Sequence, residues 1–313
     1  MSLIALATFA DLHIGDTFCE VKGLDGAHAS RVPAPVDWQE EIDELRHLCK
    51  EGAQAHGPEF SIPRGETLLR VTKVVDIKQE DVFFIRKSDA RIRDIDDLSL
   101  ADYVVDTWRN PRLRGLVLIA GEMGNGKTST AASFIVDRLT DGGLCIAIED
   151  PPEANLNGVH GQGRCVQVHA SRKTGGYPEH IYHSMRTGAD LIFIGEIRDQ
   201  DTAFEAINAS INGHLILATI HAGNCAQAVE RIITYASGKM ENAADVLATG
   251  LSMIVWQSLN QTHQGGRVIT RMVFQPLVLT REDGLGIKEK IRQGKVQQIM
   301  QDVARQQSSD VWS

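Results

Sequence analysis

The stretch GEMGNGKTST, at residues 121–130, has the residue types that bind phosphate. Its glycines let the backbone curl so that successive N–H groups point toward anionic oxygens. Lys127 supplies a mobile positive charge for those oxygens, and the hydroxyl of Thr128 is a suitable ligand for Mg²⁺. The spacing matches the phosphate-binding loop (P-loop) pattern G-x-x-x-x-G-K-[ST], and therefore predicts that a nucleoside triphosphate binds here.

The residues on either side of the loop support this prediction. The apolar run 115–120 is typical of a buried strand, and residues 127–139 have the pattern of a helix. The positive N-terminal end of that helix adds to the attraction for phosphate. The residues that we expect to contact the nucleotide are Gly121, Glu122, Met123, Gly124, Asn125, Gly126, Lys127, Thr128 and Ser129.

Carboxylates follow two other apolar runs. Glu196 comes directly after the run 191–195, and Glu149 comes directly after the run 144–148. Because the carboxyl ends of parallel strands meet at one edge of a sheet, we expect both carboxylates near the P-loop. A carboxylate there can hold the Mg²⁺ shell or orient an attacking water. The residues alone leave open which carboxylate does which, and a solvated acidic loop is the alternative for each.

Two histidines, His214 and His221, flank the apolar run 215–220. On residue type alone, a histidine at a strand end is more often a hydrogen-bonded structural residue than a functional group. Residue type alone therefore assigns neither of them a role.

A sheet whose strands all point the same way would bring these groups together. Buried-strand runs at 115–120, 144–148, 191–195 and 215–220 alternate with helical stretches. This alternation predicts a parallel sheet covered on both faces, and hence an α/β fold. After it, we predict an apolar core helix at 245–259, and then, as the C-terminal elements, a strand at 267–279 and a polar helix at 286–306.

The first part of the chain has a different pattern. A helix is predicted at 37–53, and two strands at 67–77 and 81–87 are joined by a polar turn. We therefore predict a small mixed α/β domain over residues 1–87, a charged linker over 88–98, and a larger domain over 99–313.

Composition limits the functional classes. The chain has 313 residues and a net charge of −9, which argues against a broad basic face for nucleic acid. Its five cysteines are odd in number and lack C-x-x-C spacing, so we expect reduced thiols and no metal ligation. The opening MSLIALATFA is expected to form a strand rather than a signal peptide. No apolar run is long enough for a membrane span, so any membrane association is expected to go through a partner.

Four motifs in sequence resemble those of the type II/IV secretion ATPase family, the motors of type II secretion and type IV pili. Residues 121–130 resemble its Walker A motif, and 146–153 resemble its Asp box. Residues 185–203 are similar to its Walker B box, and 212–224 are similar to its His box. Within the family, the short length and the start of the chain most resemble the PilT-like pilus retraction motors and the Dot/Icm secretion ATPase.

The resemblance continues more loosely into the N-terminal domain. Residues 10–15, 68–74 and 83–98 resemble segments of the family's PAS-like domain. It implies that Arg70 and Arg86 are nucleotide-facing arginines, which would neutralise charge on the phosphates as arginine fingers do.

For the fold, the resemblance implies a RecA-like P-loop NTPase domain preceded by a PAS-like α/β domain. The implied activity is that of a homo-hexameric ATPase that uses ATP and Mg²⁺ and couples hydrolysis to interdomain movement. It would act from the cytoplasm on an inner-membrane platform protein of a pilus, secretion or conjugation system. The residue roles implied are water activation by Glu196 or Glu149, metal binding by Thr128 and Glu196, and γ-phosphate sensing or signalling between subunits by His214 and His221.

Some positions depart from the family pattern. The acidic-proline stretch before Walker B is Gly188-Ala189-Asp190 here, and the typical Gln-Arg-Leu is Gln257-Ser258-Leu259. The C-terminal retraction motif is only partly present at 286–295. A ring that binds ATP but hydrolyses it poorly therefore stays an alternative, and so does a nucleic-acid motor of RecA type, which the acidic balance disfavours.

Overall fold

The structure is a computed structural model that describes residues 2–28, 30–65, 67–88, 92–264 and 267–310. The chain forms two compact units. Unit 1 comprises Met1–Arg91, Glu149–Asn155 and Val168–Gly176, and unit 2 comprises Ile92–Ile148, Leu156–Gln167 and Tyr177–Ser313. The domain boundaries expected from the sequence remain predictions, and residues 89–91 of the expected linker lie outside the described residues.

Unit 1 is built on an antiparallel sheet of six strands in the order β3-β2-β1-β6-β5-β4. The predicted pair of strands joined by a polar turn is confirmed as β5 and β6. The predicted helix is confirmed as α2. The elements of this unit are α1 (Leu3–Leu6), β1 (Asp11–Ile14), β2 (Cys19–Lys22), β3 (Arg31–Pro33), α2 (Gln39–His56), β4 (Glu59–Arg64), β5 (Thr67–Val75) and β6 (Asp81–Ser88).

One face of α2 packs against one face of this sheet. Its buried residues Ile42, Leu45 and Cys49 recur at steps of three and four, which places them on one side of the helix. They join a core that includes Leu12 of β1 and Ile85 of β6. Side chains alternate between the two faces of a strand, and both of these residues point to the buried face. Burial raises the pKa of the Cys49 thiol to about 12, so this cysteine behaves as an apolar side chain at neutral pH.

The expected strand at the start of the chain is wrong, because Leu3–Leu6 form the short helix α1. The Ser2 hydroxyl accepts a hydrogen bond from the Ala5 N–H at 3.1 Å. The carboxylate of Glu41, on α2, accepts the N–H of Leu3 at 2.5 Å and that of Ile4 at 3.4 Å. These contacts satisfy N–H groups that a helix start leaves open, and one partner is distant in sequence.

Two later segments of the chain also belong to unit 1. The rings of His56 and His169 lie 4.5 Å apart between centroids, and His169 Nε2 lies 3.3 Å from Asp150 Oδ1. Burial, together with the nearby His169 and Lys173, lowers the pKa of His56 below its ordinary 6.5. The neutral imidazole of His56 is therefore the form that the folded unit favours.

The larger sheet has eight strands in the order β14-β13-β7-β12-β11-β8-β10-β9. The strands from β13 to β8 in this order are parallel, which confirms the predicted parallel sheet. The pairs β13–β14 and β9–β10 are antiparallel. These strands are β7 (Gly115–Gly121), β8 (Leu144–Glu149), β9 (Gly158–His160), β10 (Gly163–His169), β11 (Leu191–Ile194), β12 (Leu215–His221), β13 (Leu251–Gln264) and β14 (Arg267–Val278).

Helices follow β7, β11 and β12 directly, as the α/β prediction requires, whereas β9 and β10 come between β8 and the next α-helix. Every residue of β7 and β11 is buried, which shows that the middle of the sheet is covered on both faces. The helices are α3 (Asp102–Arg109), α4 (Lys127–Leu139), α5 (Gly176–Ser184), α6 (Gln200–Ile211), α7 (Cys225–Ala236), α8 (Ala243–Gly250), α9 (Gly284–Arg292) and α10 (Ile299–Asp310).

The predicted helix at 245–259 is wrong beyond Gly250, where α8 ends and β13 begins. Met253, Ile254 and Val255 are fully buried and pair with β7. A continuous apolar run fits a buried strand as well as a buried helix, so periodicity could not separate the two. The helix expected at 286–306 is two helices, α9 and α10, with Gly294 and a 3-10 turn between them.

All five cysteines lie in the described part of the chain, and there all of them are free thiols. Across residues 2–310, apart from the undescribed gaps, no helix is both long and apolar enough to span a bilayer. The described side chains of His, Cys, Asp and Glu also form no group of three or more that could hold a metal ion.

Candidate nucleotide-binding site

The P-loop connects the end of β7 to the start of α4. Gly124 and Gly126 have φ angles of +75° and +74°, in the left-handed region that favours glycine. Gly126 is the N-cap of α4 and carries no side chain, so the positive end of the helix faces the loop. Residues 122–124 are exposed, with Met123 at 85%. This geometry fits the phosphate groups of a nucleotide, which need backbone N–H groups, a cation and an approach from solvent.

Lys127 lies in the first turn of α4 and is 8% exposed. Its Nζ donates a hydrogen bond to the carbonyl oxygen of Glu122 at 2.9 Å, across the P-loop. The same Nζ lies 3.2 Å from Nδ1 of His221, the last residue of β12. The side chain of Lys127 therefore contacts both the P-loop and the end of the neighbouring strand β12.

His221 connects Lys127 to Glu196. Its Nε2 lies 3.0 Å from Oε1 of Glu196, while its Nδ1 faces the ammonium of Lys127. An ammonium only donates and a carboxylate only accepts, so the network assigns the proton to Nε2. The three side chains form one row of contacts, which we call the lysine–histidine–glutamate row.

The order of the strands explains this row. Strand β12 lies between β7 and β11, so one strand separates Glu196 from the P-loop strand, and His221 at the end of β12 lies between Glu196 and Lys127. The Ile197 N–H donates to the carbonyl oxygen of Thr219 on β12 at 2.9 Å, and the Gly195 N–H donates to that of Ile148 at 2.8 Å. These two bonds fix the backbone on both sides of Glu196.

Gln257 also lies at this edge; it was named above only as part of the family's Gln-Arg-Leu position, and no role was predicted for it. Gln257 on β13 is fully buried, and its Nε2 donates to the carbonyl oxygen of Asn125 in the P-loop at 2.5 Å. The N–H of Leu259 donates to Oδ1 of the same asparagine at 3.3 Å. The signal in the sequence was an amide side chain within an apolar run, which the expected core helix did not explain.

His214 does not lie with the other site residues. It precedes β12, and its carbonyl oxygen accepts the N–H of Gly115 at the start of β7. This contact lies at the amino ends of the two strands, whereas His221 and the P-loop lie at the carboxyl ends. A role for His214 in contact with the same nucleotide is therefore not supported.

Arg70 and Arg86 face each other on β5 and β6 in unit 1. Arg70 Nη1 lies 2.7 Å from Glu153 Oε1, and Arg86 Nε lies 2.9 Å from Asp11 Oδ1. Both guanidinium groups therefore have carboxylate partners within unit 1. Their assignment to a nucleotide stays a prediction.

Glu149 is the last residue of β8 and is 2% exposed. Its Oε2 accepts the N–H of Glu153 at 3.4 Å. A buried carboxylate at a strand end is compatible with a structural or a chemical role, and its choice against Glu196 stays a prediction.

Comparison with known proteins identifies the family. The model of the family described as "Type II/IV secretion system protein" matches residues 59–265. The chain belongs to this family. The family recognition made from the four motifs is therefore confirmed.

Members of the family with known names are similar over part of their length. The type IV pilus retraction ATPase PilT of Pseudomonas aeruginosa is 32% identical over 179 residues, which are 54% of this chain and 51% of PilT. The chain spans about half the length of the curated relatives it matches.

Solved structures of family members have the same fold. The pilus retraction motor PilT, solved with bound ADP, is 25% identical with a TM-score of 0.72, covering 96% of this chain and 86% of that one. The Legionella pneumophila ATPase DotB, at 17% identity, has a TM-score of 0.72 and covers 94% of this chain and 84% of that one. The expected α/β architecture, a RecA-like domain with a further N-terminal domain, is confirmed.

Proposed function

We propose that this member of the secretion family is an ATPase that powers a type IV pilus, secretion or conjugation machine. The observation that carries the proposal is the lysine–histidine–glutamate row. It connects the phosphate-binding lysine to a carboxylate through contacts of 3.2 and 3.0 Å. A phosphate-binding loop alone is compatible with binding, whereas a carboxylate held beside it supports hydrolysis.

The loop residues 121–129 would hold the phosphates of ATP through backbone N–H groups and the Lys127 ammonium. The Thr128 hydroxyl and Glu196 are the proposed ligands and orienting groups for Mg²⁺, which when bound offsets the charge of the phosphates. Glu196 would also accept a proton from the attacking water or orient it. Glu149 is the alternative for this task.

We propose that His221 couples the position of Glu196 to the presence of a phosphate on Lys127. A phosphate oxygen bound by Lys127 competes with His221 Nδ1 for the same ammonium. Gaining or losing that oxygen would therefore alter the histidine, which holds Glu196 on its other side. This is the sensing role that the resemblance implied for the His box.

A homo-hexameric ring, an inner-membrane platform partner and a position on the cytoplasmic face of that membrane belong to the same proposal. The name of the matched relative PilT, a type IV pilus retraction ATPase, supports the pilus part of this proposal. In this proposal Arg70 and Arg86 would reach a nucleotide as the N-terminal domain moves, and His214 would signal the state of the site to a neighbouring subunit of the ring. Pilus retraction is one of the outputs that this proposal covers.

Turnover of MgATP by the full chain tests the proposal. Glu196→Gln should lower the steady-state rate by about 100-fold or more, because a positioned general base contributes at least that factor. Its affinity for MgADP should stay within about threefold of wild type, since the P-loop and Thr128 are unchanged and the amide oxygen of glutamine can still face Mg²⁺. The exposed Glu241→Gln is the matched control and should turn over as wild type does.

Equal rates for the wild type and Glu196→Gln would refute a hydrolytic role for Glu196. A wild type that binds MgATP but does not turn it over, with or without a membrane platform protein, would favour the nucleotide-switch alternative. Hydrolysis stimulated by DNA would favour the nucleic-acid motor.

A further inference from the structure

The antiparallel pair β13–β14 extends beyond the end of the P-loop strand. Strand β13 pairs with β7 as far as Trp256 opposite Ala120, and it then continues to Gln264 while β7 ends at Gly121. The continuing part of β13 therefore lies alongside the loop that follows β7. We call β13 and β14 together the β13–β14 hairpin.

This hairpin contacts the P-loop at both of its ends. A Cβ on Gly121 would lie 2.5 Å from the carbonyl oxygen of Gln257, so only glycine lets the two backbones approach this closely. A Cβ on Gly126 would lie 3.3 Å from Cε of Met272, on β14. Between these positions, Asn125 receives the hydrogen bonds from Gln257 and Leu259.

The orientation of the Gln257 amide follows from its neighbours. Its Nε2 faces two acceptors, the Asn125 carbonyl oxygen at 2.5 Å and Met272 Sδ at 3.4 Å. Its Oε1 is buried and has no hydrogen-bond partner among the described residues. A buried acceptor without a partner lowers stability, so the packing of the sheet alone gives no reason for an amide here.

Trp256, the residue before Gln257 on β13, contacts the segment that follows β12. Successive side chains of a strand point to opposite faces, so Trp256 and Gln257 reach different segments. The indole Nε1 of Trp256 donates a hydrogen bond, 2.9 Å long, to the carbonyl oxygen of Ala222. Ala222 is the residue directly after His221. One short segment of β13 thus contacts both the P-loop and the end of β12.

We propose that Gln257 is a positioning residue for the nucleotide site and that the β13–β14 hairpin clamps the P-loop in its phosphate-binding shape. The hydrogen bond to Asn125 fixes the peptide that precedes Gly126 and Lys127, whose N–H groups would meet the phosphates. The unpartnered Oε1 is the cost of placing a donor at this point. The inference rests on the proposed function and adds a residue that acts on the same site through the backbone of the P-loop.

Gln257→Met tests the clamp, because it keeps the length of the side chain and removes both the donor and the buried Oε1. Affinity of the full chain for MgADP, measured by calorimetric titration, should fall about tenfold, as expected for one lost positioning hydrogen bond. The thermal midpoint without nucleotide should stay equal or rise, since the unpartnered oxygen is gone. Gln257→Leu, which differs in shape but also lacks a donor, should behave in the same way.

Asn260→Met introduces the same side chain at an exposed position on the same strand and should match wild type in both measurements. Unchanged MgADP affinity in Gln257→Met would overturn the proposal. So would a large drop in its thermal midpoint, which would assign Gln257 to the stability of the sheet. Loss of affinity in only one of the two Gln257 variants would assign the effect to shape, and would also overturn it.

Amide hydrogen exchange separates this inference from the proposed function. Exchange of the peptide that covers residues 122–127 should become about tenfold faster in Gln257→Met without any nucleotide, because its backbone is less restrained. If the wild type bound no MgADP, the proposed function would fail, while faster exchange in the variant would still support the clamp. Unchanged exchange would overturn the clamp whatever the chain binds.

Discussion

Replacing the glycines of the P-loop by alanine, one at a time, tests how closely the β13–β14 hairpin approaches the loop. Gly124 and Gly126 share a left-handed backbone, with φ of +75° and +74°, but differ in their surroundings. A Cβ on Gly124 would meet nothing within 4 Å, whereas one on Gly126 would lie 3.3 Å from Met272 Cε. A Cβ on Gly121 would lie 2.5 Å from a backbone carbonyl oxygen.

The expected losses in the free energy of unfolding follow from these differences. Gly124→Ala should cost about 1 kcal/mol, which is the penalty of a left-handed alanine less the entropy it removes from the unfolded chain. Gly126→Ala should cost only slightly more, about 1–2 kcal/mol, because the end of a methionine can move aside. Gly121→Ala should cost about 3 kcal/mol or more, because β13 is paired along its length and its backbone cannot retreat.

Thermal unfolding of the full chain measures this order. Since about 1 kcal/mol shifts the midpoint by about 2–4 °C in a domain of this size, Gly121→Ala should melt roughly 6–12 °C below wild type. Gly124→Ala is the matched control, with the same substitution in the same loop and no contact. Equal shifts for Gly121→Ala and Gly124→Ala would refute the close approach of the hairpin.

Two further predictions concern histidines. His221→Ala removes the middle of the lysine–histidine–glutamate row, so MgATP turnover should fall about 10-fold to 100-fold while MgADP affinity stays near wild type, as a steady-state assay with a parallel titration would show. For His56, the lowered pKa means that the unfolded state takes up a proton near pH 6.5 while the folded state does not. The free energy of unfolding should therefore fall as the pH is lowered below about 6.5, and less so in His56→Gln, as urea titrations across this range would reveal.

The elements that carry the P-loop were predictable because their signals are local. The apolar run before Gly121 and the helical pattern after Gly126 agree with β7 and α4. A glycine-rich turn between a buried strand and a helix has few alternatives, since glycines in the interior of either element lower its stability. The strands β7, β8, β11 and β12 were also predictable from local signals, because each contains a continuous apolar run of the length of a strand.

The arrangement of the site depended on contacts that a single sequence does not display. The place of β12 between β7 and β11 is decided by pairing between distant segments. This order sets His221 between Lys127 and Glu196, and it sends His214 to the opposite edge. Spacing along the chain treated both histidines alike, because each adjoins the same apolar run.

The contribution of Gln257 was hidden by the wrong secondary structure. On a helix over 245–259, its amide would have been one polar group on a mostly apolar cylinder. On β13 it follows the last residue paired with β7 and reaches Asn125. The apolar residues Met253, Ile254 and Val255 do not distinguish the two conformations, so the period of the pattern gave no warning.

The central position of β12 restricts how this part of the protein can change shape. The strand is bonded to β7 on one side and to β11 on the other, so sliding along its own axis would break two ladders at once. The smallest slip that keeps its side chains on their faces is two residues, or about 7 Å, which is far more than a phosphate contact requires. The strands therefore act as a fixed frame, and small rearrangements around a ligand must arise from backbone rotations in the short segments where the strands end.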